Sequence, residues 1–319
     1  MRTFNDEELK IFKAICGMSQ KKLHRAMKDV LQDFYGMNRI IDAEKYFYCR
    51  GTTPVLLVAH MDTVFRTPNR EIFFDQERNV LWGGADGLGA DDRAGVFGII
   101  WLLSSYDFRP HILLVEDEEI GGHGSIAAVK DDRIKSDEFH YIIELDRANE
   151  KDSVFYDCDN PDFEQYINGF GFVTALGSFT DISILCPAWG KAGVNLSTGY
   201  QNEHSLAETL TIHWLLETLD KVGLMIEEAP EAPDFEYIPN KVMPFGGLKC
   251  AKCGKPASFL SSIAVPARYT KKNKDMTLCI NCFPDMTDYC ETCQEFYEVE
   301  VAGDKCPVCS RREVQNLVR

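Results

Sequence analysis

At 319 residues and 45 % hydrophobic content, the chain can bury one large core, or a medium core with a small satellite. Its formal charge of −16 is carried before residue 245: from there on 11 Lys+Arg face 9 Asp+Glu, leaving 23 basic against 41 acidic residues in the remainder. Such an acidic body repels a phosphate backbone, which argues against a nucleic-acid partner, and no run approaches 18 uninterrupted apolar residues, which argues against a membrane span.

The start, MRTFNDEELKIFKAICG, is charged and amphipathic and lacks the apolar centre of a signal peptide. Twelve cysteines without a secretory signal point to a reducing, cytoplasmic compartment, where paired thiols hold metal more often than they form disulfides. Asn5 is placed to cap a first helix with Leu9, Ile11, Phe12 and Ile15 on one face, and Ser19 to cap a second with Leu23, Met27, Val30 and Leu31. Residues 37–49 should contain an extended segment. VLLVA, after Thr53-Pro54, is a short buried strand, and EIFFDQERNVLWG reads as a hairpin. Asp91 opens a helix through AGVFGIIWLL; HILLVE is a second buried strand, SIAAVKDD a short helix and FHYIIEL a third strand. From Val154 to Ser197, GFVTAL, ISIL and GVNL are strand-like pieces around a helix at 162–168, and an amphipathic helix runs from Leu206 to about Met225. The alternation predicts an α/β fold: a mixed, mostly buried sheet flanked by helices, followed by a small Cys-rich zinc-binding domain. The divisions expected are 1–228, a linker or strap at 229–248 rich in proline and acid, and 249–319.

Candidate ligands stand where these strands end. His60 follows VLLVA, and Asp62, two residues on, faces the same side and can fix the imidazole. Asp91, in the glycine-rich GLGADDRAG, is either an ordinary helix cap or a carboxylate shared by two metals at a helix N-terminus. Glu118 and Glu119, in VEDEEIGGHGS, can divide labour, one ligating metal and one moving a proton. Asp146 follows YIIEL, and His204 sits in the polar loop TGYQNEHS. Imidazole nitrogen and carboxylate oxygen are the donors divalent zinc accepts.

VLLVAHMDTV resembles the His-x-Asp signature of the co-catalytic two-zinc metallopeptidase superfamily, which includes peptidase T, the aminoacylase-type amidohydrolases and the lidless leucine aminopeptidases. GADDRAG resembles its bridging-aspartate motif, EDEEIGGHGS its Glu-Glu-x-Gly motif, and LDRAN and NEHS its third aspartate and closing histidine. The motifs span roughly residues 50–210. The resemblance implies that His60 and Asp146 bind one zinc, or another divalent metal, and that Glu119 and His204 bind a second. Asp91 would bridge them, with Asp92 the alternative. Asp62 would orient His60, and Glu118 would be the general base. Only 57 residues separate Asp146 from His204, too few for an inserted lid or dimerisation domain. An oxyanion donor must then be local, with Tyr200, Arg147 and His123 as candidates. Thr180-Asp181 resembles a Thr-Asp element near the substrate in relatives. The implied activity is hydrolysis of amide bonds in peptides or small amides, as an aminopeptidase or small-peptide hydrolase. The alternatives are a deacylase of N-acyl amino acids and a binding protein working through the Cys-rich module.

That module carries Cys250-x2-Cys253, Cys279-x2-Cys282, Cys290-x2-Cys293 and Cys306-x2-Cys309, eight thiols for two structural zinc ions. Sequential ribbons would join the first pair to the second; a cross-braced module would join the first to the third. With so little core, zinc must supply much of the folding energy. Such modules present a surface to a protein or nucleic acid, or stabilise a chain end, and RYTKKNK at 268–274 is a small basic patch suited to an acidic partner. Cys16, Cys49, Cys158 and Cys186 have no ligand spacing.

Overall fold

The computed structural model describes residues 2–69, 71–240, 250–253, 262–265, 270, 274, 276–279, 282–290, 295–299, 306 and 308. The chain divides into two compact units, Met1–Asn240 and Lys241–Arg319.

The first unit opens with α1 (Asp6–Cys16) and α2 (Gln20–Tyr35). Asn5 caps α1 as expected: its side chain accepts from the N–H groups of Glu7 and Glu8, and Glu8 accepts in return from the Asn5 N–H. Ser19 stands at the N-cap of α2, but its side chain makes no cap hydrogen bond. Eight strands then form one sheet in the order β1 (Ile40–Asp42), β2 (Tyr46–Cys49), β6 (Pro110–Val115), β3 (Thr53–His60), β7 (Tyr141–Arg147), β10 (Gly193–Ser197), β8 (Asp152–Val154) and β9 (Val173–Thr174). The central four, β6, β3, β7 and β10, are mutually parallel, and the antiparallel partners lie outside them. Their carboxyl ends therefore share one edge, the place where open α/β sheets assemble sites.

Alternation along these strands feeds two cores. Val55, Leu57 and Ala59 pack with Ile143 and Leu145 under α1, α2, α3 (Ala90–Ser105), α5 (Pro161–Gly169) and α7 (Ile212–Glu228). Leu56 and Val58 pack with Leu113 and Ile142 under α4 (His123–Ala128) and α6 (Ile182–Trp189). A Cβ on Gly95 would lie 2.2 Å from the Leu145 carbonyl oxygen, so glycine there lets α3 press onto β7. The predicted hairpin is β4 (Ile72–Asp75) with β5 (Val80–Gly83); with β12 (Thr209–Thr211) and β11 (Tyr200–Gln201) it makes a four-stranded sheet.

Three expectations are corrected. ISIL belongs to helix α6, because Ile182, Leu185 and Cys186 bury at helical, not alternating, spacing. The helix expected from Leu206 starts at Ile212; the alternating Thr209–Thr211 pairs as a strand first. Of GFVTAL only Val173–Thr174 is strand. The proline-rich stretch after α7 is a packed strap as far as Asn240: Phe235 exchanges backbone hydrogen bonds with His140 and Ala192, and its ring meets Tyr141, Phe163 and Tyr166.

Within the second unit, β13 (Ser262–Val265) pairs with β14 (Met276–Cys279), and β15 (Thr287–Cys290) with β16 (Glu295–Glu298), both antiparallel.

Candidate metal centre

His60 ends β3 and is buried. Its Nδ1 lies 3.3 Å from Asp62 Oδ1, and its Nε2 lies 3.2 Å from Asp91 Oδ1 and 3.6 Å from Asp146 Oδ1. On the other side of Asp91, His204 Nε2 lies 3.1 Å from Asp91 Oδ2 and 3.1 Å from Glu119 Oε2. Two groups, each able to hold a metal ion, result: His60, Asp91 and Asp146, and Asp91, Glu119 and His204. Asp91 belongs to both, one oxygen toward each.

The neighbouring Asp92 has a different task. It is fully buried, and it accepts the His60 N–H at 3.0 Å and the Gly95 N–H at 2.9 Å. It ties the start of α3 to the end of β3 and leaves Asp91 to face the histidines.

The four consecutive acids after β6 divide in the same way. Glu116 and Asp117 turn to α2, accepting from Gln20; Glu116 also meets His24, and Asp117 meets Lys45. Glu118 and Glu119 are placed by Asp62, which accepts their backbone N–H groups at 3.1 and 3.0 Å. Asp62 thus contacts the His60 imidazole and also fixes the glutamate turn.

Two residues that sequence patterns did not single out, Glu208 and Asn195, also hold the cluster. Glu208, fully buried, accepts the N–H of Gly89 at 2.6 Å and of Asp91 at 2.9 Å. Asn195, in the middle of β10, clamps Asp146 at both backbone groups, accepting from its N–H at 2.9 Å and donating to its carbonyl at 2.7 Å. A buried amide inside the apolar run GVNLS is the only sequence signal that marks it. Thr180 donates to Asp146 Oδ2 at 3.1 Å, and Tyr200 to Oδ1 at 3.2 Å.

Of the expected oxyanion donors, Tyr200 therefore touches the cluster. The Arg147 guanidinium turns to Asp152 and the Leu176 carbonyl, and His123 is half-exposed with Asp117 its nearest acid at 3.9 Å. Asp181 is buried and accepts from the Ser125 hydroxyl at 2.7 Å.

Packing so many acids together has the expected electrostatic consequence. Burial, reinforced by Asp181, Asp146 and Glu119, pushes Glu118 up to about 9 against the pull of His60. Burial and the Asp91 charge push Asp146 up to about 7. Hydrogen bonds to Asp91 and Glu119 push His204 up to about 11. Burial alone would raise Asp91, but His204 and His60 hold it well below the ordinary carboxylate range.

The donor set fits divalent cations. Two imidazoles and three carboxylates converge, and Glu119 Oε1 is buried with no hydrogen-bond partner, a cost that a cation would remove. In the second unit, the Sγ atoms of Cys250, Cys253, Cys279 and Cys282 lie within 4.8 Å of one another, bringing the first pair to the second. Cys306 is buried, while the side chains of Cys290, Cys293 and Cys309 lie outside the described residues.

No protein-family model and no curated protein matches the chain. Its fold is similar to solved structures. Aminopeptidase PepT from Bacillus cereus ATCC 10987 matches with TM-score 0.55 and 13 % identity, over 71 % of this chain and 99 % of that one. A tripeptidase from Staphylococcus aureus subsp. aureus Mu50 matches with TM-score 0.54 and 12 % identity, over 72 % and 100 %. A TET aminopeptidase from the marine sediment archaeon Thaumarchaeota archaeon SCGC AB-539-E09 matches with TM-score 0.55 and 12 % identity, over 70 % and 97 %.

Proposed function

We propose that the chain is a two-metal hydrolase of peptide bonds, an aminopeptidase or small-peptide hydrolase. The observation that carries this reading is the division of Asp91, with one oxygen 3.2 Å from the first histidine and the other 3.1 Å from the second. An N-cap aspartate satisfied by its own helix would not face two imidazoles. The aminopeptidases and the tripeptidase that share the fold support the same reaction class.

In this reading His60 and Asp146 hold one zinc, Glu119 and His204 the other, and Asp91 is common to both. Bound zinc supplies Lewis acidity toward the scissile carbonyl and lowers the pKa of water to about 7. Asp62 keeps the imidazole of His60 in its ligating orientation and sets the backbone on which Glu118 stands. Glu118 takes the proton of the attacking water and returns it to the leaving amine. Glu118 acts as a base with its carboxyl ionised, the state that cations held by the neighbouring ligands would favour. Tyr200 and Thr180 hold the two oxygens of Asp146. The cysteines of residues 250–319 form a structural zinc module, with Cys250, Cys253, Cys279 and Cys282 as one site and Cys290, Cys293, Cys306 and Cys309 as the second.

The test is a panel of short peptides and aminoacyl amides, with the N-terminus free or acetylated, given to the zinc-loaded full chain. The reading expects turnover of the free amines and little of the acetylated forms. Turnover confined to N-acyl amino acids would make it a deacylase instead, and turnover of neither would remove the enzymatic reading.

A further inference from the structure

The four acids after β6 are held from two sides. Asp62 takes the N–H groups of Glu118 and Glu119. The other anchor is on α2, where Gln20 and His24, four residues apart, share one face. Gln20 Nε2 donates to Glu116 Oε2 at 2.8 Å and to Asp117 Oδ1 at 3.0 Å. His24 stands between two carboxylates: its Nδ1 lies 2.8 Å from Glu116 Oε1, and its Nε2 lies 2.9 Å from Asp42 Oδ1. An ionised carboxylate only accepts, so both ring nitrogens carry hydrogen and the ring is an imidazolium. The Glu116 hydrogen bond raises the His24 pKa above its ordinary 6.5, with help from Asp42 and against burial.

The other charges near the ring have partners of their own. Lys28, from the same helix, bonds Asp42, and the Phe47 ring meets His24 edge-on. Lys45, with Glu44 beside it, bonds Asp117, which also has His123 at 3.9 Å. Among the described residues His24 is the cation that touches Glu116; Lys45 acts on that carboxylate from further off.

Glu116 is 8 % exposed, and the chain around it has little slack. Its N–H donates to the Lys45 carbonyl at 2.9 Å, its carbonyl accepts from Gly124 at 2.8 Å, and a Cβ on Gly124 would lie 2.6 Å from its nitrogen. Asp117 follows at φ +63°, a left-handed backbone that a residue with a side chain adopts only when its surroundings hold it there. Glu118 is the next residue.

We propose that His24 is a positioning residue of the metal centre: as an imidazolium between Asp42 and Glu116, it docks α2 on the acid run and fixes the backbone that presents Glu118 and Glu119. The role rests on the two-metal reading of those glutamates. Loss of a ring proton turns a lone pair toward one of the two carboxylates. The link is therefore complete below pH 6.5 and fails as pH rises through the raised His24 value.

The test is zinc titration of the full chain, with histidine-ring NMR of the metal-free protein beside it. The His24 ring should titrate with a midpoint above 6.5, and Glu116→Gln should move that midpoint down. His24→Gln keeps a donor but no charge. It should weaken zinc at the site that uses Glu119 and His204 by about tenfold. Adding Glu116→Gln removes the carboxylate left without its contacting cation and should restore most of that loss. In peptide turnover the same pair should lower and then restore kcat, with KM little changed. A His24 midpoint at or below 6.5 overturns the proposal, as does unchanged zinc affinity in His24→Gln. A loss that Glu116→Gln does not restore also overturns it, because the ring would then only fill space. Should His24→Gln fail to fold, Glu116→Gln alone decides: an unmoved His24 midpoint overturns the proposal. The NMR and the zinc titration need no catalysis. A chain that meets both and turns over no peptide fails the peptidase reading and leaves this role standing.

Discussion

The carboxylate of Glu208 spans the turn that presents Asp91: one oxygen accepts the Asp91 N–H at 2.9 Å and the other the Gly89 N–H at 2.6 Å. Both donors are buried, so Asp91, the carboxylate proposed to be shared by two metals, rests on Glu208. Glu208→Ala should leave two buried N–H groups without acceptors, at about 1–3 kcal/mol each. Thermal unfolding should report the loss, and zinc titration should show weaker binding at both histidine sites together. Glu208→Gln keeps one acceptor and should lie between. A Glu208→Ala protein with unchanged Tm and zinc affinity would remove this role.

Asp91 and Asp92 are adjacent, yet their substitutions should behave differently. Asp91→Ala should cut zinc binding at both histidine sites while orphaning no main-chain N–H group, since its side-chain contacts are with His60 and His204. Asp92→Ala should destabilise the fold by about 2–4 kcal/mol by orphaning the His60 and Gly95 N–H groups. Metal analysis beside chemical denaturation separates the two; the reverse pattern would exchange their roles.

How far the site was legible follows from where its information lies. His60, Glu118, Glu119 and Asp146 close apolar runs, so their placement at strand ends is written locally. The parallel order of β6, β3 and β7 then brings those ends together. The parting of Asp91 from Asp92 depends on backbone conformation at one turn, which residue types do not encode. Glu208 acts across 119 residues on Gly89 and has no local signature. ISIL misleads because a β-branched run suits a strand until its burial period is known, and β12 was hidden in the helical pattern that follows it. The strap could be recognised by its prolines, but its seating against His140 and Ala192 is a tertiary fact.

The metal-free protein should become less stable as pH rises through neutrality. Asp146 and Glu118, raised to about 7 and about 9, favour the fold when protonated, so their contribution falls as pH climbs from the ordinary carboxylate range through those values. The His204 contribution is full below 6.5 and is lost as pH rises through about 11, reduced by its half-exposure. Zinc requires a neutral imidazole and ionised carboxylates, so uptake at pH 7 should release protons. Titration calorimetry in buffers of different ionisation enthalpy should give buffer-dependent heats. Identical heats would contradict this electrostatic account.

Metal counting should separate two kinds of site. The full chain should carry up to four zinc per molecule, two at the histidine–carboxylate centre and two on thiolates. Mild chelation should take the first two and leave the thiolate pair, and Cys253→Ser should lower the chelation-resistant count without changing the labile one. Loss of all zinc in one phase would contradict the division.

The central claim is that the cluster performs proton-assisted hydrolysis with Glu118 as its base, and Glu118→Gln tests it most directly. The substitution keeps the side chain's size and leaves untouched the backbone N–H that Asp62 holds. Turnover of a free-amine peptide should fall by at least about 100-fold, as removal of a general base requires, while metal analysis finds the same labile zinc as in the unsubstituted chain. Full activity with the metals in place would contradict the account.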